Sequence, residues 1–211
     1  MAQGFKGAIK QRDGEKYSLR FGATNGVLTA EALEALAGVV RDMGAVVKIT
    51  SGQRIAVKDL KEADIPLVFE RLPLISGGFY TQVCPGTQYC KFGAQDAMEM
   101  AREIENRFAT VSVPAKLKFA VSGCKLNCAE AYIRDIGLIG GKGGWTMVVG
   151  GNSGGAPRIA DMLAEDLDDD QALALVAAFI AYYQENGEKK RRTARFVEKL
   201  SIEKIRQDLG V

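Results

Sequence analysis

Apolar and polar positions alternate near the start of the chain. Across 17–21, Tyr17, Leu19 and Phe21 fall on one side and Ser18 and Arg20 on the other, which predicts a half-buried strand. Asn25-Gly26 marks a turn. Thr29, followed by Glu31 and Glu34, opens a helix with an apolar stripe at Leu33, Leu36, Ala37 and Val40, and Gly44 stops it. Alternation then returns twice: over 46–50, Val47 and Ile49 oppose Lys48 and Thr50, and over 54–58, Ile55 and Val57 oppose Arg54 and Lys58. A short helix is predicted at 64–71, near Pro66. The order strand, helix, strand, strand, helix over 15–72 describes a small α+β unit of ferredoxin-like kind.

Residues 73–94 are rich in Gly, Pro and Thr and read as a loop. A helix is predicted over 95–108 with Ala97, Met98, Ala101, Ile104 and Phe108 on one side, so its methionines read as packing residues. Pro114 opens a strand over 116–122. Leu117, Phe119 and Val121 share one face of it, while Lys116, Lys118, Ala120 and Ser122 share the other, whose parity continues to Cys124. A short helix after Cys128 and strands at 136–139 and 145–149 follow. Asp168, Asp169 and Asp170 cap a helix that buries Leu173, Val176, Phe179, Ile180 and Tyr183 and ends at Asn186-Gly187. Two stretches have plain readings. The glycine-rich run 150–155 lacks the Gly-Lys-Ser/Thr of a P-loop and the dinucleotide spacing, so it reads as a turn, and the basic run 189–195 reads as a solvated helix start.

Composition narrows the chemistry. With 211 residues, 47% of them hydrophobic, the chain can bury a full core without staples. Its net charge of +2 implies neither nucleic acid nor an anionic membrane as a partner. There is no run of about 18 apolar residues to span a bilayer, and the N-terminus lacks the apolar centre of a signal peptide, so a cytoplasmic location is expected. The absence of histidine matters more than any other count. It leaves proton transfer to Lys, Arg, carboxylates or water.

All four cysteines fall in two pairs, Cys84 and Cys90 with five residues between, and Cys124 and Cys128 with three. Four thiolates suffice for one iron–sulfur cluster or one structural zinc. Zinc knuckles favour shorter first spacings, so a cubane cluster is the better match, and disulfides suit an exported or smaller chain. The predicted strands also share a feature: each carries cations opposite its apolar face, namely Arg20, Lys48, Arg54 and the pair Lys116 and Lys118. Two residues apart on a strand, Lys116 and Lys118 lie about 7 Å from each other and repel by about 2 kcal/mol at an effective dielectric near 20. An anion between them would turn that repulsion into attraction, which points to an anion site beside the metal.

Cys-Pro-Gly-Thr at 84–87, Ser-Gly-Cys at 122–124, Leu19-Arg20 leading to Asn25-Gly26-Val27-Leu28-Thr29, and Lys48-Ile49-Thr50 leading to Gln53 together resemble the siroheme-dependent sulfite and nitrite reductases. The resemblance covers nearly the whole chain. It implies an α+β fold, with a ferredoxin-like half domain over 1–75 followed by an α/β siroheme and 4Fe-4S domain over 76–211. It implies that Cys84, Cys90, Cys124 and Cys128 hold the cluster, with Cys128 also ligating the siroheme iron. Arg20, Lys116 and Lys118 match the family's substrate-binding cations. Lys48, Thr50 and Arg54 would meet siroheme carboxylates, and Gly150, Gly151 and Asn152 would approach the macrocycle. The implied reaction is reduction of sulfite to sulfide, with nitrite as a second substrate and an external ferredoxin-like donor. A non-catalytic electron carrier and a zinc-stabilised module are the alternatives. The chain departs from the family in having one half domain where two are usual, for which a homodimer would compensate. It also has Gly52 and Phe79-Tyr80 where arginines are expected.

Overall fold

The computed structural model describes residues 7–73, 75–76 and 81–211, which fall into two units, Met1–Gly78 and Phe79–Val211. The first unit contains β1 (Ile9–Lys10), β2 (Tyr17–Gly22), α1 (Ala30–Met43), β3 (Val46–Ile49), β4 (Arg54–Leu60), α2 (Ile65–Arg71) and β5 (Ile75–Ser76). Its strands are antiparallel in the order β1-β2-β4-β3, with β5 also paired to β2. Leu19 and Phe21 of β2 and Ile55 and Val57 of β4 share one core with Leu36 and Val39 of α1 and Ile65 and Val68 of α2. The expected cap is present: Thr29 Oγ1 accepts from the Ala32 amide at 3.2 Å, and Gly44 ends α1 in the left-handed conformation.

Three expectations change here. The buried stripe of α1 is Ala32, Leu36 and Val39, while Leu33 and Ala37 are exposed and Val40 is half-buried. Alanines at 32, 35 and 37 make several helical phases equally apolar, and packing on the sheet selects one. Secondly, Val47 and Ile49 are not covered. They lie on the edge strand β3, where Ile49 is 73% exposed, because alternation defines the two faces without saying whether anything packs on them. Thirdly, β4 runs on to Leu60, past the predicted end at 58. Tyr17 pairs with Leu60 but Leu19 with Val57, so β4 holds one extra residue, and Asp59 takes φ 64°. This bulge turns Leu60 onto the core face.

The second unit contains β6 (Thr81–Val83), α3 (Gly86–Tyr89), α4 (Ala97–Phe108), β7 (Phe119–Ser122), β8 (Ile136–Gly141), β9 (Gly144–Val149), β10 (Asp161–Leu167), α5 (Asp169–Asn186), α6 (Thr193–Leu200) and α7 (Ile202–Leu209). The sheet order is β10-β9-β8-β7-β6, with β6, β7 and β8 parallel and the other neighbours antiparallel. The stretch read as a loop therefore holds β6 and α3, and β10 has no counterpart in the sequence reading. Strand β10 is an irregular edge with two register shifts and a single buried side chain, Leu163, so it carries no clean alternation. After Cys128 the predicted helix is only a 3-10 turn at Ala131–Ile133.

Both faces of this sheet are covered. Phe119, Val121, Leu138 and Met147 share a core with Ala101 and Ile104 of α4, Val176 and Phe179 of α5 and Phe196 of α6. On the opposite face, Ala120, Ile139 and Val148 meet Ala129, Ala131 and Ala160. These alanines form a thin layer, which lets the segment after Cys128 lie directly on the sheet. The methionines Met98 and Met100 are buried, as packing residues should be. Asp168 caps α5, its carboxylate accepting from the Gln171 amide at 2.8 Å, and the Trp145 indole donates to Asp169 at 2.6 Å, tying β9 to the start of that helix. Among the described residues no helix is long and apolar enough to cross a membrane.

Candidate active site

In the first unit, strand parity places Arg20, Lys48, Thr50 and Arg54 on the face opposite the core. Register aligns them further: Arg20 and Lys48 both stand opposite Ala56, from β2 and β3 on either side of β4. The two cations therefore flank a small residue, with backbones about 10 Å apart. Thr50 Oγ1 accepts from the Arg54 amide at 3.1 Å, and the Arg54 guanidinium reaches the Arg20 carbonyl at 3.4 Å. A side chain at Gly52 would meet nothing within 4 Å, so the arginine expected there is not kept out by crowding. The departure at Phe79-Tyr80 lies outside the described residues.

In the second unit, the two cysteine loops are laced together by backbone. The Ala94 and Gln95 amides both donate to the Gly123 carbonyl, at 2.8 and 3.0 Å, and the Gly123 amide donates to Cys84 Sγ at 3.0 Å. Such contact needs residues without side chains. A Cβ on Gly93 would lie 2.6 Å from the Gly86 backbone, one on Gly123 2.7 Å from the Gln95 carbonyl, and one on Gly140 2.6 Å from the Gly123 carbonyl. Gly140→Ala is accordingly expected to lower unfolding stability by about 1–3 kcal/mol. At Gly155 an added Cβ meets nothing within 4 Å, so Gly155→Ala should stay within about 0.5 kcal/mol of the parent. Urea unfolding of the two variants checks the contrast.

All four cysteines are free; Cys84, Cys90 and Cys124 are partly buried and Cys128 is exposed. The second loop is pinned by Asn127, which takes φ 54°. Its Oδ1 accepts from Ser122 Oγ at 3.1 Å and from the Ala131 amide at 2.9 Å, while Ser122 Oγ accepts from the Ala129 amide at 3.0 Å. Among the described residues no group of three or more His, Cys, Asp or Glu could hold a metal ion. One zinc would need every ligand within about 2.3 Å of a single point, whereas a cube gives each thiolate its own iron. Free thiols on two loops locked together by glycine contacts, with one amide aimed at sulfur, fit a cluster. A cavity of about 700 Å³ opens beside Cys124, lined also by Phe92, Lys125, Leu126, Lys142 and Asp166.

Lys116 and Lys118 lie just before β7, which begins at Phe119 and not at the predicted position 116. Beyond Lys118 their face is closed, since Ala120 and Ser122 are fully buried. The parity shared with Cys124 therefore does not describe an open cationic surface. Lys118 is half-buried and Lys116 exposed. Burial first, then the charges of Arg192, Arg134 and Lys116, hold the Lys118 ammonium below the ordinary lysine pKa, against an opposing pull from Asp135.

Those neighbours were not singled out from sequence. Asp135 is fully buried, and its carboxylate accepts from the Lys118 amide at 2.7 Å, Thr193 Oγ1 at 2.6 Å and Arg192 Nε at 3.2 Å, with a second Arg192 nitrogen in an ion pair. Arg134, also buried, donates to Gln82 and Glu130 at 2.6 Å each. Arg192 is thus not part of a merely solvated helix start, although Arg191 and Arg195 make the surface pairs that reading implies. The available signal was Arg134-Asp135 standing directly before the apolar run of β8, where charges must find partners.

Gly150, Gly151 and Asn152 serve the loop itself. Gly150 takes φ 81° with a Cβ position 2.8 Å from Val197, and a Cβ on Gly151 would meet the Tyr132 and Arg134 carbonyls at 2.5 Å. The Asn152 amide donates to the Ala156 carbonyl at 2.7 Å, and its oxygen accepts from the Gly154 amide at 3.2 Å. Internal packing accounts for all three residue types.

Residues 9–73 match the family model described as the nitrite/sulfite reductase ferredoxin-like half domain, and residues 80–211 match that of the nitrite and sulphite reductase 4Fe-4S domain. Over 209 residues the chain is 44% identical to the assimilatory-type sulfite reductase of Nitratidesulfovibrio vulgaris, covering 96% of each. It is 35% identical over 207 residues to the NAD(P)H nitrite reductase of Bacillus subtilis, where 95% of the chain spans 26% of that protein. The structure of the Mycobacterium tuberculosis NirA protein has the same fold, with a TM-score of 0.80 at 20% identity over 98% of this chain and 43% of that one.

Proposed function

This chain belongs to the nitrite and sulfite reductase family, a siroheme and 4Fe-4S family, and from that premise we propose that it reduces sulfite to sulfide, with nitrite as a second substrate, using electrons from an external ferredoxin-like donor in the cytoplasm. The preference for sulfite rests on the 44% identity, over the full length of both chains, to a protein known as a sulfite reductase. Residues 1–75 serve as the half domain and 76–211 as the cofactor domain. The observation that carries the reading is the lacing of the two cysteine loops through Gly123, with Lys116 and Lys118 just ahead of β7, the strand that leads into the second loop.

Cys84, Cys90, Cys124 and Cys128 would hold the cluster, and Cys128, the exposed one, would be the ligand shared with siroheme. When bound, the siroheme and the cluster would supply one-electron transfers and an iron site for the sulfur of sulfite. The chain's own residues do the rest. The Gly123 amide stabilises charge on the Cys84 thiolate, as hydrogen bonds to cluster sulfurs do. Lys116 and Lys118 hold substrate oxygens by charge-assisted hydrogen bonds and stabilise the charge that grows as S–O bonds break. Lys118, its pKa held low, gives up a proton more readily than a solvated lysine would. Arg20, Lys48, Thr50 and Arg54 serve as the half domain's anion contacts.

Protein purified without oxygen is expected to show siroheme and cluster absorption, to contain iron and acid-labile sulfide, and to make sulfide from sulfite with reduced methyl viologen. Cluster absorption without a tetrapyrrole would support an electron carrier instead. A colourless protein with one zinc would support a structural module.

A further inference from the structure

Lys118 is held through its backbone on both sides. Its amide donates to the Asp135 carboxylate at 2.7 Å, and its carbonyl accepts from the amides of Asp135 and Ile136 at 3.0 and 3.3 Å. The carboxylate, wholly out of water, is completed by Thr193 Oγ1 and by two nitrogens of Arg192, which also reaches Asn152 Oδ1 at 3.4 Å. The Gly150 amide donates to the Asp135 carbonyl at 2.9 Å. Ordinary strand pairing would satisfy the Lys118 amide with a carbonyl and need no ion-paired buried carboxylate. Here both carboxylate oxygens are already committed, and among the described residues the Lys118 ammonium forms no ion pair.

We infer that Asp135 and Arg192 are positioning residues for Lys118, a buried carboxylate and a half-buried guanidinium that fix the segment entering β7 while keeping the carboxylate from capturing the lysine, so that the ammonium stays available to an anion. The inference rests on the role proposed for Lys118. The pair also acts on the lysine in opposite directions, since Arg192 makes protonation harder and Asp135 makes it easier. The other groups facing this set are Lys116 on the same segment, Arg134 ahead of β8 with Glu130 as its partner, and Tyr183 of α5. The Tyr183 hydroxyl, pushed up to about 12 chiefly by burial and then by Asp135, stays neutral through the range of assay.

The test is the pH profile of kcat/KM for sulfite, driven by reduced methyl viologen, in holoenzyme variants with siroheme content measured alongside. If Lys118 must be protonated, Asp135→Asn moves the alkaline limb to lower pH and Arg192→Gln moves it to higher pH, the double variant returning towards the parent. Misplacement of the lysine lowers kcat of Asp135→Asn by about tenfold or more. Should Asp135→Asn fail to fold, Arg192→Gln against Arg192→Lys carries the test, because the lysine keeps the charge and leaves the limb in place. Limbs that do not move, or that move the same way in both single variants, overturn the inference and reduce the pair to a structural role. A Lys118→Met enzyme with full turnover overturns the catalytic reading itself. An inactive Lys118→Met with unmoved limbs overturns only the positioning role.

Discussion

The Cys128→Ser protein is expected to fold like the parent and to reduce neither sulfite nor nitrite. Cys128 is the exposed member of the four, and its loop is held by Asn127 and Ser122 rather than by its own sulfur. Trading sulfur for oxygen there removes no core contact, so the unfolding midpoint of the cofactor-free variant should stay near that of the cofactor-free parent. As the proposed ligand shared by cluster and siroheme, it should nonetheless take the siroheme bands and all turnover with it. Cys84→Ser makes the comparison informative. Cys84 packs against both hydrophobic clusters of the second unit and accepts the Gly123 amide, so that variant should lose stability as well as cofactor. Visible spectra, iron analysis and thermal unfolding of the two variants separate ligand loss from fold loss. A Cys128→Ser protein that keeps siroheme and turnover would remove Cys128 from the ligand set.

Lys118→Met should lower kcat for sulfite by about 100- to 1,000-fold, the range seen when a proton donor or a preorganised electrostatic contact is removed. Lys116→Ala should act more on KM, because Lys116 is exposed and a solvated cation contributes attraction more than proton transfer. The sign of the pH dependence follows from the environment of Lys118. Burial and three neighbouring cations place its pKa below the 10.5 of a free lysine, so activity that needs the ammonium is present at low pH and falls as pH rises through that lowered value. Sulfide production from sulfite across pH, with the dye in excess, measures both effects. An unchanged kcat in Lys118→Met, or an unchanged kcat/KM in Lys116→Ala, would withdraw the role given to that lysine.

Local chemistry made several features readable without a fold. Cysteine spacing suggested a metal site because ligand count and loop length are sequence properties. The caps at Thr29 and Asp168 were legible because a cap acts on amides two or three residues away. Faces of the central strands were legible from parity, so Leu19, Phe21, Ile55 and Val57 appear in the core as expected.

Features that depend on what lies across space were not. Val47 and Ile49 alternate as correctly as Ile55 and Val57 but sit on an edge strand, and only assembly of the sheet leaves them uncovered. Glycines at 93, 123 and 140 look like turn residues, yet their need for hydrogen in place of a side chain comes from backbones that are remote in sequence. Arg192 looked like one cation in a basic run, and its partner Asp135 lies 57 positions away. Such a pair leaves no periodic trace, because a buried carboxylate must find a cation wherever the fold brings one, to offset the cost of leaving water. The cysteines and lysines proposed for the site are therefore candidates the chain alone suggests, whereas the carboxylate that accepts the Lys118 amide emerges only when β7, β8 and α6 meet.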